Sequence, residues 1–210
     1  SRDWAVFDLV RSSKNEKKIP VIIDREVVWQ LINSVRTLHN HTFFVLLYSC
    51  GLRSSEALRL TPKDIDAKRM VIRIVKSKGK RTREVPVTLF TLLKLRQYWK
   101  THRNPNFIFP AVGQNMKGAS TATQHMVLSS IQDVLRKAAQ ELKLTQKITP
   151  HTFRHCYATH LLDAGVNIRM VQLFLGHANI MTTCIYLHVS KNGMSQAVKV
   201  VADIFGGKNA

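Results

Sequence analysis

The sequence predicts a mostly α-helical domain with a small antiparallel β-sheet, an α+β fold. Apolar residues recur at helical spacing through much of the 210-residue chain. Two β-branched, alternating segments, 70–75 and 82–87, flank a turn and predict a β-hairpin. The length suits one sizeable core with extensions rather than several domains.

The first third of the chain predicts a linker followed by three helices. Residues 1–20 are polar and basic, which is typical of an exposed linker. Asp24 is suited to cap a first amphipathic helix. The second helix, about 41–50, is apolar on nearly every side and is expected to be buried, with Gly51 at a left-handed cap. A short third helix is expected within 54–60.

The middle of the chain predicts the hairpin and two more helices. The hairpin turn, 76–81, is strongly cationic. A helix is expected over 89–98, a mobile loop over 113–123 and a helix over 126–142.

The last predicted elements are helices separated by glycine breaks. Thr149 is a natural N-cap with Pro150 at the first helical position, and the helix is expected to run to Gly165. A second helix is expected over 167–176, and Asn179 can cap a third, short one.

Composition points to nucleic acid as the partner. Lys and Arg number 32 against 13 Asp and Glu, a formal net charge of +19, which predicts an anionic polymer. The longest apolar run, 43–50, is far below the roughly 20 residues that cross a bilayer, so no membrane association is expected. The three cysteines form no C-x-x-C pair, which favours reduced thiols and a cytoplasmic location.

Six separated residues suggest a phosphate that is held by cations and attacked by a tyrosine: Arg53, Lys78, His151, Arg154, His177 and Tyr186. His151 and Arg154 lie one turn apart at a helix N-terminus, where unpaired N–H groups also favour an anion. A phenol with a pKa of about 10 needs a base or cations to act as a nucleophile. Lys78 is a candidate acid for the leaving group. No carboxylate cluster accompanies these residues, so metal-free chemistry without a cofactor is expected.

With these residues, the chain resembles the catalytic domain of the tyrosine recombinases, the phage integrase family. The resemblance covers about 21–190 and lies in six motifs: Gly-Leu-Arg-Ser-Ser-Glu-Ala-Leu at 51–58, Lys-Gly-Lys-Arg-Thr-Arg-Glu-Val-Pro at 78–86, His-Thr-Phe-Arg-His at 151–155, Ala-Thr-His-Leu-Leu at 158–162, Leu-Gly-His at 175–177 and Thr-Thr-Cys-Ile-Tyr-Leu-His at 182–188. Cys156 and Leu187 depart from the usual pattern without affecting the chemistry.

The resemblance implies that all six residues are catalytic and that Tyr186 forms a 3′-phosphotyrosyl link with double-stranded DNA. It implies that Glu56 orients the first arginine. The choice of Lys78 among the hairpin lysines also rests on it. Further DNA contacts are expected from the basic residues around the hairpin turn: Lys76, Lys80, Arg81 and Arg83.

The implied organisation is a linker at 1–20 from an absent N-terminal DNA-binding domain, a catalytic domain at 21–188 and a tail helix at 189–210. The tail either packs on its own domain or docks in trans on a neighbouring copy. The expected assembly is a homotetramer on DNA, with a monomer as the form expected without DNA. The expected location is the cytoplasm, at the nucleoid.

Other interpretations stay open. A type IB topoisomerase uses similar chemistry without sequence-specific synapsis, and a regulatory or accessory module would bind DNA without cutting it. His151 and His155 have a spacing that can bind zinc, but no third ligand is apparent. We interpret His155 and His160 as structural.

Overall fold

The computed structural model describes residues 20–75, 82–113 and 116–187. Within these residues the helices are α1 (Arg25–Ser34), α2 (Leu38–Cys50), α3 (Ser54–Leu58), α4 (Leu89–Trp99), α5 (Leu128–Glu141), α6 (Pro150–Asp163), α7 (Ile168–Leu175) and α8 (Met181–Cys184). The strands are β1 (Ile65–Asp66), β2 (Val71–Ile74) and β3 (Arg83–Pro86). The predicted fold class, mostly α with a small antiparallel sheet, is confirmed.

Helix α2 forms the centre of the core, as its apolar sequence predicts. It packs against α1, α3, α4 and α6. Phe44 of α2 stacks on Phe153 of α6 with ring centroids 5.2 Å apart, and Phe43 meets Phe109 edge-on at 5.1 Å. All four rings are buried, and the contact between Phe44 and Phe153 holds α6 against α2.

Gly51 ends α2 in the left-handed conformation, with φ of 60°. A Cβ atom at this position would lie 2.2 Å from the Tyr157 ring, so a side chain would clash as well as strain the backbone. The glycine therefore lets α2 end in close contact with α6.

The sheet has three antiparallel strands in the order β1-β2-β3, one more than predicted. Ile72 of β2 pairs with Ile65 on one side and with Val85 on the other. β1 has two residues, which is too short to show an alternating pattern. The hairpin turn, 76–81, lies outside the described residues.

The predicted break between α6 and α7 is present, with the caps in place. The Asn167 side chain accepts a hydrogen bond from the N–H of Arg169, and Gly176 ends α7 with φ of 65°. Helix α8 ends earlier than expected, so Tyr186 lies in the turn that follows it.

The expected mobile loop at 113–123 is tied to the domain where the structure describes it. The Asn104 side chain is buried and donates to the carbonyls of Ala119 and Ala122 at 2.8 and 2.9 Å. The tail helix predicted at 189–210 and the linker up to residue 19 lie outside the described residues. None of the described helices has the length and apolar character needed to span a membrane.

Candidate active site

Helix α6 begins with the predicted cap and carries the first part of the site. Pro150 occupies its first position, and the N–H of Thr149 donates to Oγ1 of Thr152 at 3.0 Å. His151 is exposed in the first turn, whereas Arg154, one turn later, is only 1% exposed. The two side chains therefore lie at different depths, with the arginine beneath the surface that the histidine faces.

The guanidinium of Arg154 is held by carbonyl groups at the ends of two helices. Nη1 donates to the Gly51 carbonyl at 2.7 Å, and Nη2 donates to the Leu175 carbonyl at 2.6 Å. These carbonyls lie at the C-terminal ends of α2 and α7, where helices leave acceptors unpaired and attract cations. Burial, followed by the charge of Arg53, lowers the pKa of Arg154 to about 9, which still leaves it charged at neutral pH.

Glu56 is the carboxylate that joins the arginines. It accepts from the Arg53 backbone N–H at 2.8 Å and from Arg53 Nη1 at 3.1 Å. Arg83 binds the same carboxylate in bidentate fashion at 2.8 and 2.7 Å, and Arg154 Nη1 lies 4.0 Å from it. Burial acts to raise the pKa of Glu56, but Arg83 and then Arg53 outweigh it and lower the pKa to about 2. The Glu56 carboxylate is therefore ionised at neutral pH and carries a negative charge among the three arginines.

Arg83 lies inside the site, although the sequence predicts a DNA contact for it. Its side chain is 8% exposed, and Nε donates to the Phe174 carbonyl at 2.8 Å while the guanidinium binds Glu56. A Cβ at Gly176 would lie 2.7 Å from Cδ of Arg83, so the glycine lets the end of α7 close over the arginine. In this arrangement Arg83 ties β3 to α3 and α7 rather than facing solvent.

His177 links Arg154 to the last helix. Its Nε2 lies 3.1 Å from Arg154 Nη2, and its Nδ1 lies 3.0 Å from Oγ1 of Thr183. Because arginine only donates hydrogen bonds, Nε2 must accept, which assigns the ring proton to Nδ1 and makes Thr183 its acceptor. Burial and the charge of Arg154 lower the pKa of His177 to about 4, so the ring is neutral at neutral pH.

Tyr186 is buried beside these groups, with 2% of its surface exposed. Its hydroxyl lies 3.0 Å from Nδ1 of His155. Its ring is nearly parallel to the His177 ring, with 13° between the planes and 6.4 Å between the centroids. Burial raises the pKa of Tyr186, while Arg154 and then Arg53 act to lower it. The tyrosine thus lies within the electrostatic reach of two cations.

The structure brings together five of the six predicted residues: Arg53, His151, Arg154, His177 and Tyr186. Lys78 lies outside the described residues. The same is true of three predicted DNA contacts: Lys76, Lys80 and Arg81.

His155 and Arg83 also belong to the cluster. The sequence predicts a structural role for His155 and a DNA contact for Arg83, so it predicts neither of these positions. His155 lies one turn after His151, and their rings meet edge-on with centroids 4.5 Å apart. That i, i+4 spacing could have indicated a shared face. The pairing of Arg83 with Glu56 depends on how the sheet packs against α3, for which the sequence has no local pattern.

The chemistry available to this cluster is charge stabilisation and proton transfer. Over residues 20–75, 82–113 and 116–187, no three His, Cys, Asp or Glu side chains are arranged to hold a metal ion. Arginines hold two phosphoryl oxygens with a planar pair of donors and stay charged throughout a reaction. The cluster is therefore suited to binding a phosphodiester beside a tyrosine hydroxyl.

The fold is the one seen in solved structures of recombinases. The XerA recombinase structure superposes with a TM-score of 0.72 at 24% identity, covering 86% of this chain and 65% of that one. The XerH site-specific recombinase superposes with a TM-score of 0.73 at 23% identity, covering 90% of this chain and 55% of that one.

The chain belongs to the phage integrase family, whose model matches residues 22–193. A tyrosine recombinase of Pseudothermotoga lettingae is 34% identical over 182 residues, which are 86% of this chain and 60% of that protein. The family resemblance seen in the sequence is confirmed. This chain spans about three fifths of the length of that relative.

Proposed function

We propose that the protein is a site-specific DNA recombinase that cleaves and rejoins double-stranded DNA through a 3′-phosphotyrosyl intermediate, without a metal ion. The observation that carries the proposal is the position of Tyr186, a buried tyrosine whose hydroxyl lies 3.0 Å from Nδ1 of His155 and whose ring lies beside His177, the histidine that contacts Arg154. A phenol ordinarily ionises at a pH of about 10, so it attacks a phosphate only with a base or cations beside it.

In the proposed reaction, the hydroxyl oxygen of Tyr186 attacks the phosphorus while arginines stabilise the charge that develops. Arg53 has 39% of its side chain exposed and can meet a phosphate directly, and Arg154 supplies charge from beneath. His151 faces solvent at the N-terminus of α6, where unpaired N–H groups also attract a phosphate oxygen. By analogy with other charge-stabilising groups, loss of either arginine is expected to slow cleavage about 10²–10³-fold.

The leaving 5′-oxygen needs a proton, and Lys78 is proposed to donate it. The released 5′-hydroxyl later attacks the phosphotyrosyl bond and rejoins a strand. Glu56 is proposed to orient Arg53, which the two hydrogen bonds between these residues support. Lys76, Lys80 and Arg81 are proposed to contact the DNA backbone.

Double-stranded DNA is the proposed partner for two reasons. The net charge of +19 suits a polyanion. XerH, which shares the fold, is a site-specific recombinase whose structure is a post-cleavage complex with a palindromic difH substrate. These observations favour recombination over the topoisomerase and the accessory module.

The proposal includes assembly and place of action. Residues 21–188 form the catalytic domain, residues 1–20 a linker, and four copies assemble on DNA from subunits that are monomeric without it. Residues 189–210 are proposed to form a tail helix, which the helical spacing of Val198, Val201 and Phe205 supports, and which either packs on its own domain or docks in trans on a neighbouring copy. Since the substrate is DNA, we expect the protein to work in the cytoplasm at the nucleoid.

The proposal can be tested with a pool of randomised DNA duplexes that are nicked so that the cleaved strand diffuses away. In EDTA, the wild-type protein is expected to form an adduct that survives denaturant, and Tyr186→Phe is expected to form none. An adduct that persists in Tyr186→Phe would exclude Tyr186 as the nucleophile. DNA binding without any adduct would favour the accessory module. In a separate assay on a supercoiled plasmid, relaxation without strand exchange would favour the topoisomerase.

A further inference from the structure

We propose that His155 is the general base that takes the proton of Tyr186 as this tyrosine attacks the phosphate. The inference rests on the proposed function and adds a catalytic residue that the sequence analysis interpreted as structural. It is carried by the position of His155 Nδ1, 3.0 Å from the tyrosine hydroxyl. A general base must lie within hydrogen-bond reach of the proton that it removes, and this distance meets that condition.

The fold fixes this contact from both sides. His155 belongs to α6, whose neighbouring residues Phe153 and Cys156 are buried in the core. Tyr186 lies in the turn after α8, and its backbone N–H donates to the Thr183 carbonyl at 3.0 Å. The tyrosine ring is packed beside His177 as well. The hydroxyl therefore meets His155 through two anchored elements rather than through a free side chain.

His177 is unsuited to act as this base because both of its ring nitrogens have other partners. Nε2 accepts from Arg154, and Nδ1 donates to Thr183. Taking a proton at Nε2 would place a cationic ring against the Arg154 guanidinium at 3.1 Å. The geometry instead assigns His177 to orienting the arginine.

His151 has a different position. It is exposed at the start of α6 and touches the edge of the His155 ring, with centroids 4.5 Å apart. This place suits a contact with a phosphate oxygen at the surface. His155 lies one turn deeper, between His151 and the tyrosine hydroxyl.

His155 is neutral before DNA binds, and in that state its low pKa makes it a weak base. Burial, followed by His151 and Arg154, lowers its pKa to about 4, so the ring is neutral and a nitrogen lone pair is available at neutral pH. The tautomer with its proton on Nε2 accepts the tyrosine proton at Nδ1. A bound phosphate would bring negative charge beside these cations and raise the pKa of His155, which strengthens the base when DNA is present.

Each proton that is released in the cleavage step has an acceptor. The O–H bond of Tyr186 breaks, its proton moves to Nδ1 of His155, and the tyrosine oxygen bonds to phosphorus. The bond from phosphorus to the 5′-oxygen breaks, and that oxygen takes the proton proposed to come from Lys78. When the strand is rejoined, the 5′-hydroxyl returns its proton to Lys78 and its oxygen bonds to phosphorus, while the bond from phosphorus to Tyr186 breaks and the tyrosine oxygen recovers its proton from the His155 imidazolium.

The chain contains a matched control on the same helix. His160 Nδ1 lies 2.8 Å from the Tyr48 hydroxyl, so a second histidine and tyrosine make the same contact. Tyr48 is buried in the core. A substitution at His160 therefore tests what the loss of a histidine–tyrosine hydrogen bond does to the fold alone.

The experiment compares His155→Asn with His160→Asn in single-turnover cleavage of the nicked duplexes. The asparagine Oδ1 is as many bonds from the backbone as Nδ1, so it can accept the hydrogen bond, but an amide cannot hold the proton at neutral pH. We expect His155→Asn to slow adduct formation by about 10²–10⁴-fold. His160→Asn is expected to cleave within about threefold of wild type, because its ring lies outside the reaction.

A second substrate separates the base from the acid. A sulfur in place of the bridging 5′-oxygen leaves as a thiolate, with an ordinary thiol pKa of about 8.5, and needs no proton. This substrate should rescue Lys78→Ala but leave His155→Asn slow. Rescue of His155→Asn would overturn the proposal, since it would place the residue on the leaving-group side.

Several outcomes decide the matter. Cleavage by folded His155→Asn at the wild-type rate overturns the base role and leaves the proposed function standing. No adduct from the wild-type protein overturns both. If the thermal transition shows that His155→Asn is unfolded, His155→Gln decides on the same terms, because its amide cannot hold the proton either.

Discussion

Helix α6 carries two histidines, five residues apart, and each contacts a tyrosine hydroxyl from another part of the fold in different surroundings. His155 meets the Tyr186 hydroxyl at 3.0 Å, and His160 meets the Tyr48 hydroxyl at 2.8 Å, in both cases through Nδ1. Burial lowers the pKa of both histidines and raises the pKa of both tyrosines. The hydrogen bond and the burial are therefore common to the two pairs and cannot distinguish a nucleophile from a core tyrosine.

The charges around the two pairs make the difference. Arg154 and Arg53 act to lower the pKa of Tyr186. Around the other pair, burial and then Cys156 raise the pKa of Tyr48, and only then does Arg25 oppose them. The comparison teaches that two arginines, rather than the histidine contact, set Tyr186 apart electrostatically.

The largest expected contrast comes from removing each tyrosine hydroxyl. Tyr186→Phe is expected to lower single-turnover cleavage by about 10⁴-fold or more, as loss of a nucleophile does. Tyr48→Phe should leave cleavage within about threefold and lower the free energy of unfolding by about 1 kcal/mol, the usual cost of one hydrogen bond. Adduct assays and urea unfolding of both variants measure the two effects. Equal losses of cleavage would show that the pairs are not functionally distinct.

Sequence and structure agree where the determinants are local. Thr149, Asn167 and Gly176 fix the ends of α6 and α7 through the conformation or hydrogen bonds of near neighbours, so these helices could be predicted. Strand β1 could not be predicted, because its two residues are too few to show an alternating pattern.

The contacts within the site join residues far apart in the chain. Tyr186 is 31 residues from His155, and Arg83 is 27 residues from Glu56. The family motifs allowed the residue types of the proposed phosphate site to be predicted, but they did not indicate which histidine meets the tyrosine. That choice depends on how the turn after α8 packs against α6, which only the folded chain determines.

The next contrast concerns the carboxylate that balances the arginines near Tyr186. Glu56→Gln keeps the shape of the side chain but leaves Arg83 and Arg154, with side chains 8% and 1% exposed, without their anion. We expect the free energy of unfolding to fall by about 3 kcal/mol, as when one partner of a buried ion pair is removed. Chemical denaturation measures this change, and slower cleavage should accompany it because Arg53 loses its ionised partner.

Glu84→Gln is the matched control for that variant. Glu84 lies on β3, next to Arg83, and binds Arg69 at 2.7 Å, but these two side chains are exposed, at 38% for Glu84 and 59% for Arg69. Its loss should change the free energy of unfolding by less than about 1 kcal/mol. If both variants lose the same free energy of unfolding, the burial of Glu56 does not strengthen its ion pairs.

The smallest expected contrast is in the pH dependence of stability. His155 has a folded-state pKa of about 4 against an ordinary value of 6.5, so between these values the unfolded chain binds a proton that the native state does not. Native stability should therefore be fully present above about pH 6.5 and fall as the pH drops towards about 4. Discounted for the partial exposure of this ring, its share is about 1–2 kcal/mol.

His155→Asn should flatten the decline of stability in that window more than His160→Asn does. At His160, Asp163 and Asp24 favour the protonated ring and oppose burial, whereas His151 and Arg154 add to the effect of burial at His155. His177 titrates in both variants, so their difference isolates the two substituted rings. Urea unfolding at about pH 7 and about pH 5 gives the slopes. Equal flattening in the two variants would mean that the cations near Tyr186 do not act on His155, and the electrostatic distinction between the pairs would then have to rest on the tyrosines alone.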